Sequence, residues 1–282
     1  MKLHVIDTGF FKLDGGAMFG VVPKSIWQKT NPADSNNMCN WAMRCLLLEF
    51  DNRLMLIDNG IGDKQDAKFF SHYYLNGDDS LQKSLHKLGI DFPDITDMFL
   101  SHLHFDHCGG SIKYNKDKTG FETVFPNASY WTNKEHWRWA TQPNKREKAS
   151  FLSENILPIS TSGQLKFVKG EGRFTNKILI KYMRGHTDAL MVPMIKINRK
   201  VVCFVSDLLP SVGHIPLPYV MGYDTRPLIT LEEKEKFLIE AAEGNYILFL
   251  EHDPLYEACT VEKTEKGIRL KEAGKLSDFI GN

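Results

Sequence analysis

Five short apolar runs in this chain each lead within three residues to a histidine or an aspartate, and that repeated juxtaposition restricts what the chain can fold into. The run at 98–100 leads into Ser101-His102-Leu103-His104-Phe105-Asp106-His107, and the run at 54–57 leads into Asp58. The runs at 178–183, 201–205 and 246–250 lead into Arg184-Gly185-His186, Ser206-Asp207 and Glu251-His252. Apolar runs this short read as buried strands. Strand-like and helix-like stretches are mixed along the chain, which predicts an α/β fold. In sheets covered by helices, ligand sites form at the carboxyl edge of the strands, and that is the edge to which these side chains are delivered.

The densest delivery is the H-x-H-x-D-H segment from His102 to His107. In an extended chain alternate side chains share a side, so His102 and His104 can hold one metal together. Gly109-Gly110 follows, so the strand ends and the chain turns. Asp106 and His107, adjacent across that turn, can face a second metal. Imidazole nitrogen and carboxylate oxygen suit zinc, and metals about 3.5–4 Å apart are usual in two-metal hydrolytic sites. Three histidines and an aspartate buried together without an ion would each need another partner. The isolated His4, His72, His86 and His136 show no such pattern and read as surface or core residues.

The runs at 45–50 and 54–57 flank Asp51-Asn52-Arg53 and predict a hairpin. Ser80 can cap a helix whose Leu81, Leu85 and Leu88 share a face and which Gly89 ends. Thr230 and Glu233 make a capping box for a helix over 230–243, with Gly244 as its stop. Residues 60–80 and 110–160 predict surface loops and helices that shape a pocket.

The length, 282 residues with 42% apolar content, is enough for one large domain or two small ones with a real core, and a single domain over 1–282 is the expectation. Lysine plus arginine balances aspartate plus glutamate at 35 each. A neutral chain offers no phosphate-tracking stripe, which argues against a nuclease and against a nucleic-acid partner. Residues 1–11 carry no signal-peptide pattern, and no run nears the roughly 18 apolar residues of a membrane span. The expectation is a cytoplasmic protein without a membrane partner. Cys39, Cys45, Cys108, Cys203 and Cys259 are odd in number and lack C-x-x-C spacing, so they read as reduced thiols.

Taken together, Ile57-Asp58-Asn59-Gly60, the stretch from Ser101 to Gly110, Gly185-His186-Thr187, Ser206-Asp207 and His252 resemble the metallo-β-lactamase-fold hydrolase superfamily, over Arg44 to Asp253. The resemblance implies a four-layer αββα sandwich with a dinuclear metal site at one edge of the two sheets. By position it implies that His102, His104 and His186 hold a first metal and that Asp106, His107 and His252 hold a second. Asp207 would bridge the two, and Asp58 would hydrogen-bond a ligand from behind. The oxygen-reducing di-iron branch has Glu where His104 stands here, so this chain is expected to hydrolyse.

The segment from Gly15 to Trp27 and Glu251-His252-Asp253-Pro254 resemble one branch in particular. That branch contains N-acyl-homoserine lactonases, which quench quorum sensing, and methyl-parathion-type organophosphate hydrolases. Four positions depart from the family pattern. Many members read Gly-His-Thr-Pro-Gly where this chain has Gly185-His186-Thr187-Asp188-Ala189, and many precede the bridging aspartate with Gly where it has Ser206. One lactonase group places a substrate-polarising Tyr three residues after that aspartate, where Pro210 stands. Tyr223 or His214 is the candidate substitute.

The expected enzyme is a dinuclear hydrolase using a metal-bridging hydroxide, with Asp106 carrying the proton and Asp207 bridging. Its cofactors would be two divalent ions, zinc ahead of manganese, iron or cobalt. Its substrate would be a small N-acyl-homoserine lactone-like lactone or related ester, with Phe19, Trp27, Phe70 and Tyr223 as candidate lining. A phosphotriester, thioester or β-lactam could be cleaved by the same centre. Outside the enzyme class stands a metal-retaining ligand-binding protein without turnover. The resemblance also suggests a homodimer packed through residues 18–27.

Overall fold

The computed structural model describes residues 1–281. The chain forms two compact units, one of residues 1–9 and 43–170, the other of residues 10–42 and 171–282. Two long strands, β1 (Lys2–Asp14) and β2 (Met38–Phe50), each pass from one unit into the other.

In the first unit β2 turns back into β3 (Arg53–Ile57), pairing Leu46 with Ile57 and Phe50 with Arg53. The turn is Asp51 and Asn52, with φ of +49° and +57°. That left-handed pair is what a two-residue hairpin requires and what Asp and Asn tolerate. β4 (Asp97–Phe99) pairs parallel with β3, and β7 (Ser129–Asn133) and β8 (Leu165–Val168) continue the parallel run. The full sheet order is β1-β2-β3-β4-β7-β8, and β5 (Ile112–Tyr114) and β6 (Phe121–Thr123) form a separate hairpin. Leu47, Leu56, Met98, Phe125, Tyr130, Ile156 and Ile159 pack into its core.

The second unit holds a seven-stranded sheet ordered β15-β14-β13-β12-β11-β10-β9. Its strands are β9 (Gly172–Arg173), β10 (Ile178–Met183), β11 (Leu190–Ile197), β12 (Lys200–Phe204), β13 (Ile247–Phe249), β14 (Ala258–Thr264) and β15 (Gly267–Gly274). Only β12 and β13 run parallel, and the helix Pro227–Gly244 is the crossover between them. Phe237, Leu238 and Ala241 of that helix bury against Val205, Leu248 and Leu250.

Several expectations need adjustment. The long helix begins at Pro227 rather than Thr230, because proline suits the first helical position. Glu233 therefore closes no capping box: its carboxylate instead accepts from the N–H groups of Arg184 and Gly185 at 2.8–2.9 Å. The shorter helix, Leu81–His86, is capped by Ser80 as expected, yet Leu88 falls beyond its end and is exposed. All five cysteines are buried, and none forms a disulfide among the described residues. Among the described residues, no helix is long and apolar enough to cross a membrane.

Candidate metal centre

Each of the five strands does end where its polar residues begin. β3 stops at Ile57 before Asp58, and β4 at Phe99 before the segment from Ser101 to His107. β10 stops at Met183 before His186, β12 at Phe204 before Asp207, and β13 at Phe249 before His252.

The first unit gathers Asp58, His102, His104, Asp106 and His107, all buried. Asp58 accepts from the Ser101 N–H at 2.7 Å and the Ser101 hydroxyl at 2.5 Å, and its Oδ2 lies 3.1 Å from His107 Nδ1. The Ser101 hydroxyl, its proton committed to Asp58, faces His102 Nδ1 at 3.1 Å. His104 sends Nε2 to Glu147 Oε1 at 3.3 Å. The other two ring nitrogens, His102 Nε2 and His104 Nδ1, face each other at 3.0 Å. Asp106 and His107 sit on a helical turn, Phe105–Cys108, with Asp106 Oδ2 3.7 Å from His107 Nε2. The turn is drawn tight against residues 59–62. A Cβ on Gly109 would lie 2.1 Å from the Ile61 carbonyl oxygen, so no larger residue fits there.

The second unit gathers His186, Asp207 and His252 around the aspartate. Asp207 Oδ2 lies 3.1 Å from His186 Nε2, and Oδ1 lies 3.1 Å from His252 Nε2. Behind them, His186 Nδ1 meets Asp224 Oδ1 at 2.8 Å and His252 Nδ1 meets the Ala42 carbonyl at 2.8 Å. The loop carrying His186 is clamped by Glu233 and by Arg226, whose Nη1 donates to the Arg184 carbonyl at 2.7 Å. Gly185 is required, since a Cβ there would meet Thr230 Oγ1 at 2.2 Å.

These contacts test whether a metal fits. A carbonyl or carboxylate only accepts, so the outward nitrogen of His104, His107, His186 and His252 carries the proton. Ser101 imposes the same on His102. Every inward nitrogen of a neutral ring is then a lone pair. Two such lone pairs face each other between His102 and His104, and two more face the oxygens of Asp207. Acceptors opposed at about 3 Å repel unless a cation or proton lies between them. Burial works against a charged His186, but Asp207 and Asp224 outweigh it and push its pKa up to about 10. Such surroundings favour positive charge, and the donor set fits zinc-type divalent ions.

Other expected residues take structural roles. His214 is 1% exposed and stacks on Phe19 with centroids 4.4 Å apart. Its Nε2 donates to the Met18 carbonyl and its Nδ1 meets Ser211 Oγ, both at 2.9 Å. With both nitrogens engaged it has nothing to offer a substrate. Phe19 and Trp27 are buried and stacked on one another, so they are core rather than pocket lining. Tyr223 remains 39% exposed. His136 is buried and accepts the Leu103 N–H on Nε2 at 2.8 Å, fixing the backbone between His102 and His104. Lys234 is buried, and its ammonium donates to the carbonyls of His214, Pro216 and Tyr219 at 3.0, 3.2 and 2.7 Å. Phe70 lies in a half-buried aromatic group with Phe69, Tyr73 and Phe105, whose ring centroids are 4.7–5.5 Å apart. The chain reading missed Glu147 and Asp224, because a carboxylate far away in sequence leaves no spacing signal.

Residues 44–252 match the profile of the metallo-beta-lactamase superfamily. No curated protein sequence matches the chain. Among solved structures it is similar to a probable metal-dependent hydrolase from Staphylococcus aureus, with 25% identity, a TM-score of 0.87, and coverage of 97% of this chain and 96% of that one. It is also similar to AidC, described as a dizinc quorum-quenching lactonase, with 22% identity, a TM-score of 0.78, and coverage of 95% and 93%. A third likeness is to AbOPH, a hydrolase in the beta lactamase superfamily, with 19% identity, a TM-score of 0.77, and coverage of 95% and 92%. The mixed α/β fold with its two large sheets is thus the expected one, and the chain belongs to the metallo-beta-lactamase superfamily as a hydrolytic enzyme.

Proposed function

We propose that this chain is a dinuclear, zinc-dependent lactonase acting on N-acyl-homoserine lactone-like substrates or closely related esters. The observation that carries the reading is the set of imidazoles whose outward nitrogens are all occupied by oxygen acceptors. Five rings are thereby turned so that their basic nitrogens remain for metal.

In this reading residues 1–282 make one hydrolase domain, and the residues at its strand ends would serve as ligands for two divalent ions. His102, His104 and His186 would hold the first ion, Asp106, His107 and His252 would hold the second, and Asp207 would serve both. When bound, such ions lower the pKa of water from about 16 toward 7 and polarise an ester carbonyl. The chain's own residues supply the rest. Asp106 takes the proton released by the attacking water and passes it to the alkoxide oxygen that leaves as the ring opens. Lactone plus water thus becomes a hydroxy acid.

Phe69, Phe70, Tyr73 and Phe105 provide an apolar wall for an acyl chain, with Phe105 directly between His104 and Asp106 in the chain. Burial, with the Asp106 charge adding to it, pushes the Tyr73 phenol up to about 12, so it stays protonated beside the metal-binding residues. A small ester suits this wall and the neutral chain better than a nucleic acid does. The AidC likeness, a lactonase by its description, supports the substrate class.

The test is a panel of lactones, phosphotriesters, thioesters and β-lactams, given to protein loaded with zinc and assayed for metal content. Ring opening of acyl-homoserine lactones with two zinc ions bound is the expected result. Preferred turnover of a phosphotriester would move the reading to the organophosphate branch. Two bound ions without turnover of any substrate would make this a binding protein.

A further inference from the structure

Each of the five histidines leans on a different acceptor, and the acceptors differ in charge. His102 and His252 lean on neutral groups, the Ser101 hydroxyl and the Ala42 carbonyl. His107 leans on Asp58. His104 and His186 lean on Glu147 and Asp224, two carboxylates from outside the family motifs.

Both carboxylates are expensive to bury, at 3% and 2% exposed. Glu147 offsets that cost locally, since its Oε2 accepts from Trp139 Nε1 and Asn144 Nδ2 at 2.7 Å each. Asp224 does not: its Oδ2 is buried without a hydrogen-bond partner. A half-satisfied buried carboxylate needs a close donor on its other oxygen, and here that donor is the His186 Nδ1–H at 2.8 Å. An anionic acceptor polarises an imidazole more than a neutral one does, making the opposite nitrogen a stronger donor and fixing its direction.

We propose that Glu147 and Asp224 are positioning residues that jointly set the affinity of one metal position, the one held by His102, His104 and His186. The other position, held by Asp106, His107 and His252, does not depend on them. This inference rests on the ligand grouping of the proposed function. It assigns work to two residues from unrelated parts of the chain, a loop before Phe151 and the turn before Pro227.

The experiment uses the full chain with Glu147→Gln and Asp224→Asn, which keep shape and an accepting oxygen but remove the charge. Zinc binding is followed by competition with a chromophoric chelator, and cobalt loading by its visible absorption. Urea unfolding in excess chelator serves as the control for fold. Each variant, and the double variant, should weaken the same one of two zinc-binding steps. The loss should be about 10- to 100-fold per residue, with the other step unchanged within about twofold. The cobalt spectrum should change for that site alone, and the unfolding midpoint in chelator should stay near wild type. Glu147→Asp and Asp224→Glu, which keep the charge, should recover part of the lost affinity. If a neutral variant does not fold, these charge-keeping variants decide: a loss of more than about 100-fold at that step, or a loss spread over both steps, overturns the proposal. Variants that weaken different steps, or that lower only the unfolding midpoint, overturn it as well. A wild-type protein that takes up fewer than two ions would instead refute the dinuclear reading beneath it.

Discussion

His214 offers a measurable consequence of burying a titratable ring. Burial, helped by the nearby Lys234 charge, pulls its pKa down to about 3 from an ordinary 6.5, against the opposing pull of the Met18 carbonyl. The neutral ring is what the fold accommodates, with Nε2–H on Met18 and Nδ1 accepting from Ser211. A depressed folded-state pKa means that the unfolded chain binds the proton first as pH falls. The stabilisation is therefore complete above about pH 6.5 and is lost progressively toward pH 3. Each pH unit in that window removes about 1.4 kcal/mol, hence about 2 kcal/mol by pH 5 and about 3 by pH 4. His214→Gln removes the titration together with the stacking on Phe19 and two hydrogen bonds. At pH 7 that variant should be less stable by about 2–3 kcal/mol. The wild-type advantage should then shrink as the solution is acidified and vanish between about pH 4 and 5. Urea titrations at four pH values, in chelator so that metal release adds no slope, measure the difference. A wild-type advantage that stays constant from pH 7 to 4 would refute the argument.

Three further outcomes can be checked. Gly109→Ala drives a methyl into the Ile61 carbonyl oxygen at 2.1 Å, backbone against backbone; it should cost about 3 kcal/mol in urea unfolding. Asp58→Asn places an NH2 group where the Ser101 hydroxyl and the His107 ring now donate; zinc affinity should fall about 10- to 100-fold in chelator competition. Phe69→Ala thins the aromatic wall, so kcat/KM should fall about tenfold or more for a long acyl chain, mostly through KM, and little for a short one.

Local chemistry explains what could be read from the chain. The Asp51-Asn52 turn, the Ser80 cap and the apolar run of β10 depend on neighbours in sequence, and all three appear as expected. The delivery of Asp58, His102, His186, Asp207 and His252 to strand ends was equally legible, since each strand and its terminal residue are adjacent. β7 was not, because Tyr130 and Thr132 are buried within a stretch whose polar and aromatic residues mimic a loop. The enclosure of His214, Phe19 and Trp27 in the core was not legible for a related reason. Enclosure by Met18 and Ser211 is set by tertiary packing that no spacing encodes. The family departures do have a physical footprint. Ser206 and Ala189, where many relatives carry glycine, take φ of +45° and +56°, a left-handed conformation that glycine adopts at no steric cost.

The ammonium of Lys234 gathers three carbonyls from the stretch between His214 and Tyr219 onto the helix Pro227–Gly244. That stretch follows Pro210, where this chain parts from the lactonases that place a tyrosine there. Its course is therefore written partly at a position some fifteen to twenty residues downstream. Anyone grafting the segment from a relative to change selectivity would have to transplant the residue at 234 with it. A foreign loop dropped onto this lysine would be pulled toward the native path, and a native loop without it would lose three of its anchoring hydrogen bonds.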